Sequence, residues 1–103
     1  MTGPGLRLPA WRAPADENAE AAALAALAYL LADDDRAARF LTMTGLAAAE
    51  LRHHAADPAF LGGVLDFVLE DEPLLVGAAA AAGLRPERVA ILRQRLPGAP
   101  PRN

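Results

Sequence analysis

Apolar residues recur along this chain at helical spacing, in blocks separated by proline, glycine and aspartate. The first block predicts a helix from near Asp16 to near Ala32. Asp16 would cap it, with Glu17 and Glu20 at its positive end. Leu24, Leu27, Leu30 and Leu31 fall on one stripe of that helix, and Tyr29 points away from it. Asp33, Asp34 and Asp35 then punctuate the chain, and one of them caps a short second helix, Arg36 to Met43, anchored by Phe40 and Leu41.

Thr44-Gly45-Leu46 reads as a helix stop, with glycine in the left-handed position and the leucine folding back. A third helix is expected over Ala47 to Ala56, with Leu51 inside. Asp57-Pro58 is a strong start signal, a cap followed by proline at the first helical position. The fourth helix runs from there to about Glu70. Glu72-Pro73 opens a fifth, reaching Ala82. Gly83-Leu84 repeats the glycine stop, and Pro86 opens a sixth that ends before Pro97. The two glycine corners echo each other, but two copies do not make a repeat array.

The fourth helix is the most informative. At 100° per residue, Phe60, Leu61, Val64, Leu65, Phe67, Val68 and Leu69 cover an arc of about 200°. That is wider than a surface helix needs, so this helix is expected at the centre, with Phe60, Leu61, Val64, Leu65 and Val68 nearly fully buried. Its remaining stripe is Gly62, Gly63, Asp66 and Glu70. Two glycines within a helix cost about 1 kcal/mol each relative to alanine. A close-packed helix or a partner's backbone would offset that, so these four residues form a candidate contact stripe, to be set against plain solvent exposure.

Composition strengthens the helical reading. Of 103 residues, 26 are Ala and 17 Leu, against four Val and one Ile. The fold class expected is all-α: a compact single-domain bundle of five or six short helices over residues 16–96. Residues 1–15, with Pro4, Pro9 and Pro14, and residues 97–103 are expected to be disordered tails. Trp11, the sole tryptophan, lies in the first tail as a possible apolar anchor on this domain or on a partner.

There is no Cys, hence no disulfide or thiolate chemistry, and no apolar leader at the start. The longest apolar run, Ala21 to Ala32, has twelve residues, short of the 18 or more a membrane span needs. The expectation is a cytoplasmic protein. The net charge of −3 is uneven: residues 16–35 sum to −6, 57–72 to −5 and 85–103 to +4.

No phosphate-binding loop, nucleophile elbow or paired metal-site histidines can be found, and there is no Ser. His53 and His54 are adjacent and point about 100° apart on a helix. Asp66 and Glu70 share a face but fall far short of the oxygens calcium needs. Ala79, Gly83, Val89 and Leu92 match helix-turn-helix spacing, with Arg85, Arg88, Arg93 and Arg95 on the second helix. Overall acidity and Glu87 weigh against nucleic acid. On the projection Arg88 and Arg95 flank Ile91. With Arg85 they form a candidate basic patch, while Val89, Leu92 and Leu96 face the core.

Leu27-Ala-Tyr-Leu, Arg39-Phe-Leu, Thr44-Gly-Leu, Leu51-Arg, Ala56-Asp-Pro-Ala-Phe-Leu, Val64-Leu-Asp-Phe-Val-Leu and Asp71-Glu-Pro-Leu-Leu together resemble a family of short bacterial proteins filed as domain of unknown function 3572. The resemblance spans about residues 19–97. It implies a compact helical protein and carries over no catalytic residue. The function expected is a non-catalytic module that binds another protein or itself, with no cofactor, metal, membrane or small-molecule substrate. A nucleic-acid-associated regulator using the last helix is the alternative, and an unrecognised enzyme the third.

Overall fold

The computed structural model describes residues 18–98, so Trp11, Asp16 and both outer tail segments lie outside it. Six α-helices and no strand occur among the described residues: α1 Ala19–Leu31, α2 Asp34–Thr44, α3 Leu51–His54, α4 Pro58–Leu69, α5 Glu72–Ala82 and α6 Pro86–Arg93. The chain is an all-α, single-domain bundle.

Local chemistry sets the boundaries. Asn18, not Asp16, caps α1, its side chain accepting from the Ala21 N–H at 2.9 Å. Asp33 caps α2, Asp57 caps α4 ahead of Pro58, and Asp71, one residue earlier than expected, caps α5. Gly45 and Gly83 end α2 and α5 at φ of 74° and 75°, a conformation that a Cβ disfavours. Beyond Gly83, the Leu84 N–H reaches the Ala79 carbonyl at 2.8 Å, the 6→1 bond of a Schellman stop. The expected third helix is broken: a 3-10 turn, Ala48–Glu50, precedes the short α3. Ala47 offers no capping oxygen, and only Glu50 reaches back to the Ala47 N–H, at 2.9 Å.

The core holds Leu61, Val64, Leu65 and Val68 of α4, as the wide arc predicts. Phe60 corrects that expectation, because it is only half-buried. Its ring stands 6.1 Å from Phe40, whose other aromatic neighbour is Phe67 at 5.3 Å, both edge-on. His54 packs against Phe60 at 5.6 Å while His53 stays exposed.

The centre is also shared. Helix α1 packs on α2, α4, α5 and α6, whereas α4 lies chiefly against α1, α5 and α6. The reason is the alanine face of α1. Ala22, Ala23 and Ala26 are buried beside Leu27 and Leu30, while Leu24 and Leu31 remain 44% and 39% exposed. Small side chains let helix axes approach, and α5 answers with buried Ala78 and Ala79.

Tyr29 does not point away. It is half-buried against the core, and a methyl group at Gly77 of α5 would overlap its hydroxyl end. The Arg36 guanidinium stacks 3.8 Å from the ring centroid and donates to the Tyr29 carbonyl at 2.8 and 3.1 Å.

Candidate functional site

The stripe on α4 divides in two. Arg93 of α6 reaches across it, only 3% exposed. Its Nε and Nη2 donate to the two Asp66 carboxylate oxygens at 2.7 and 3.0 Å, a bidentate pair. Its Nη1 donates to the Leu96 and Pro97 carbonyls at 3.1 and 3.3 Å. Gly62 lies buried beneath, where an added Cβ would sit 2.6 Å from Arg93 Nη1 and 2.9 Å from the Pro97 carbonyl oxygen. Gly62 and Asp66 are thus engaged by the chain's own last helix, which also ties Pro97 to the body. Gly63 and Glu70 stay exposed.

The two glycines therefore separate by experiment. Gly63 has nothing within 4 Å of an added Cβ, so Gly63→Ala should stabilise by up to ~1 kcal/mol through helix propensity. Gly62→Ala should instead destabilise by about 1–3 kcal/mol, because the methyl forces a tied guanidinium and a backbone carbonyl apart. Urea midpoints of the two variants moving in the same direction would contradict this.

Arg93, one of the four arginines expected on the second helix of the glycine corner, is committed to Asp66. Of the rest, the Arg85 side chain is 82% exposed and stands 3.9 Å from Glu87, a separation that contributes little. Arg88 is half-buried, Arg95 is exposed, and Ile91 is 43% exposed. Val89, Leu92 and Leu96 point inward, as the projection predicts. The Ala79–Gly83–Val89–Leu92 corner forms, with Ala79, Val89 and Leu92 buried.

Among the described residues are clefts that sequence reasoning did not name, and two of them have a mainly apolar lining. One, of about 470 Å³, opens between α2 and α4. Phe67 and Ala38 line it, Met43 stands at it 69% exposed, and Arg39, Glu70 and Asp71 supply its charge. Arg39 donates to Asp71 at 3.0 Å. The hydrogen bond from Arg39, helped by the Leu74 N–H, holds the Asp71 carboxyl below its ordinary 3.8. Its folded form is therefore favoured above that value, and the contribution fades as pH falls through the lowered pKa.

The second cleft, of about 560 Å³, lies where α1, α2 and α3 meet. Leu27, Leu31, Leu41 and Leu51 wall it, alanines 37, 48 and 55 leave it open, and Arg52 is its one charged lining residue. Of the sequence-predicted site residues, Glu70 lines the first of these clefts, and Arg95 lines a further one against the start of α1, with Asn18 and Glu20. No local signal marks these clefts, since each needs two or three helices in place.

Among the described residues no three His, Cys, Asp or Glu gather to hold a metal ion. None of the described helices is long and apolar enough to cross a membrane. The family model described as "Protein of unknown function (DUF3572)" matches residues 16–99. No curated protein and no solved structure matches the chain.

Proposed function

This chain belongs to the family described as Protein of unknown function (DUF3572), and we propose that it is a non-catalytic helical module that binds another protein or a second copy of itself in a bacterial cytoplasm. One observation carries the reading: the chain holds both halves of a complementary pair. The α2–α4 cleft has an apolar lining, an exposed Met43 and, beside the Arg39–Asp71 pair, an acidic Glu70. Helix α6 presents an exposed Ile91 with the half-buried Arg88 three residues before it, and the exposed Arg95 follows the helix end. Methionine adapts to an incoming apolar side chain, and opposite charges fix the register. The occupant we assign to the cleft is therefore the α6 face of a second copy, in a head-to-tail contact.

Sedimentation velocity over a range of protein concentration tests this. The average mass should rise with concentration and fall with added salt. Glu70→Lys and Ile91→Asp should each be monomeric alone, since each loses one half of the contact. Mixed, they should form a dimer and nothing larger, because one intact cleft then meets one intact face. A monomer at every concentration would overturn the self-association.

The nucleic-acid alternative is weaker by one cation, because Arg93 is committed to Asp66. A gel-shift titration at low salt is expected to show no binding to duplex or single-stranded DNA. Binding that falls steeply with salt would favour the alternative instead.

A further inference from the structure

The cleft between α1, α2 and α3 takes no part in the proposed self-contact. Leu27 and Leu31 line it from α1, Leu41 from α2 and Leu51 from α3, and its alanines leave room for incoming side chains. It is a trough rather than an enclosed hole, because Leu31 is 39% exposed. Leu24, 44% exposed, precedes Leu27 by one turn, so the same apolar stripe runs along α1 from Leu24 to Leu31. That is about 10 Å, or two turns. Contiguous apolar surface left open in this way marks an interaction site. Its charge has one sign. Arg52 is exposed, is the one charged lining residue, and meets no carboxylate among the described residues. The nearby acids are placed elsewhere: Asp34 and Asp35 begin α2 without lining the cleft, and Glu50 accepts from the Ala47 N–H.

We propose that this cleft docks an amphipathic helix of another protein, with leucine-like side chains in the trough and an acidic residue against Arg52. This rests on the reading of the chain as a binding module, at a surface separate from the self-contact. A helix fits where a strand does not. The walls are themselves helices, whose backbone groups are already paired, so a strand would find no edge to join. A helix satisfies its own backbone and needs only apolar contact. Its side chains at i, i+3 and i+7 span the same two turns as Leu24, Leu27 and Leu31. The unpaired Arg52 then sets the sign of the partner's flank, since a cation there would be repelled and a carboxylate drawn in.

Fluorescence anisotropy with a dye-labelled, end-capped helical peptide tests this. The probe carries leucines at i, i+3 and i+7 with glutamates flanking them. Its binding to the full-length chain at low salt should saturate, and a twin with serines for the leucines should not bind. Arg52→Glu, at an exposed position, should weaken binding about tenfold and favour a twin with lysines for the glutamates. Leu31→Ser should weaken binding as well, with the far-UV circular dichroism melt retained. Arg52→Glu carries the test if Leu31→Ser does not fold. Ile91→Asp should bind the peptide as the unaltered chain does, so the docking site and the self-contact fail separately. No saturable binding, or binding that Arg52→Glu and Leu31→Ser leave unchanged, would overturn the proposal. Loss of binding in Ile91→Asp would place the peptide at the self-contact, and displacement by dodecanoate would assign the cleft to an alkyl carboxylate; both outcomes also overturn it.

Discussion

Val64→Asp is expected to abolish cooperative folding. Val64 is 0% exposed, on the helix that packs against α1, α5 and α6. Burying the valine side chain contributes about 1.5–3 kcal/mol. A carboxylate in its place loses that and adds a desolvation cost of several kcal/mol with no cation to meet it. Domains of this size are stable by only about 5–15 kcal/mol, so the two effects together consume the margin. Leu65→Asp, 2% exposed in the native chain, should behave alike. Thermal melts followed by circular dichroism decide it: a cooperative transition at the unaltered temperature, in either variant, would mean that α4 is not the core.

The second large effect is expected at the Arg93–Asp66 pair, and it should be lopsided. Arg93 is buried while the Asp66 side chain is 37% exposed. Asp66→Ala strands a buried guanidinium on two carbonyls, which should cost about 3 kcal/mol, the lower end for a broken buried pair. Arg93→Met replaces the cation with an apolar chain of similar length and leaves a carboxylate that water can reach. It should cost about 1 kcal/mol. The double variant should lose less than the sum, because the partners share one interaction. Urea midpoints measure all three. Arg93→Met proving costlier than Asp66→Ala would reverse the assignment of which group depends on the other.

What could be read from the sequence was what the backbone decides locally. Asp57-Pro58, Gly45 and Gly83 each act within a few residues, so they mark helix ends before any tertiary contact forms. The arc of α4 was legible because large apolar side chains state their own burial. Arg93 was not, since an arginine reads as solvent-facing until a partner 27 residues away is placed beside it. The alanine face of α1 was missed for the opposite reason. Leucines outweigh alanines in any apolar projection, yet close helix packing selects the small face and leaves Leu24 and Leu31 wet. Tyr29 and Gly77 explain each other only once α1 and α5 touch. Both clefts are likewise properties of assembled helices, and neither has a residue pattern of its own.

The packing of α1 has a consequence for how the chain is made. Its main partners, α4 and α5, are encoded 27 to 51 residues downstream of Leu31. At about 5–20 residues per second, synthesis must continue for roughly 3–10 s after α1 is complete before α5 is complete as well. Throughout that interval the longest apolar stretch of the protein lacks one or both of these main partners. A run of valine and isoleucine left waiting in this way would be an invitation to strand pairing between nascent chains. The run from Ala21 to Ala32 contains neither: eleven of its twelve residues are alanine or leucine, and the other is Tyr29. Such a segment can close its own backbone hydrogen bonds as a helix while it waits, so the same alanines that permit tight packing in the finished domain protect the unfinished one.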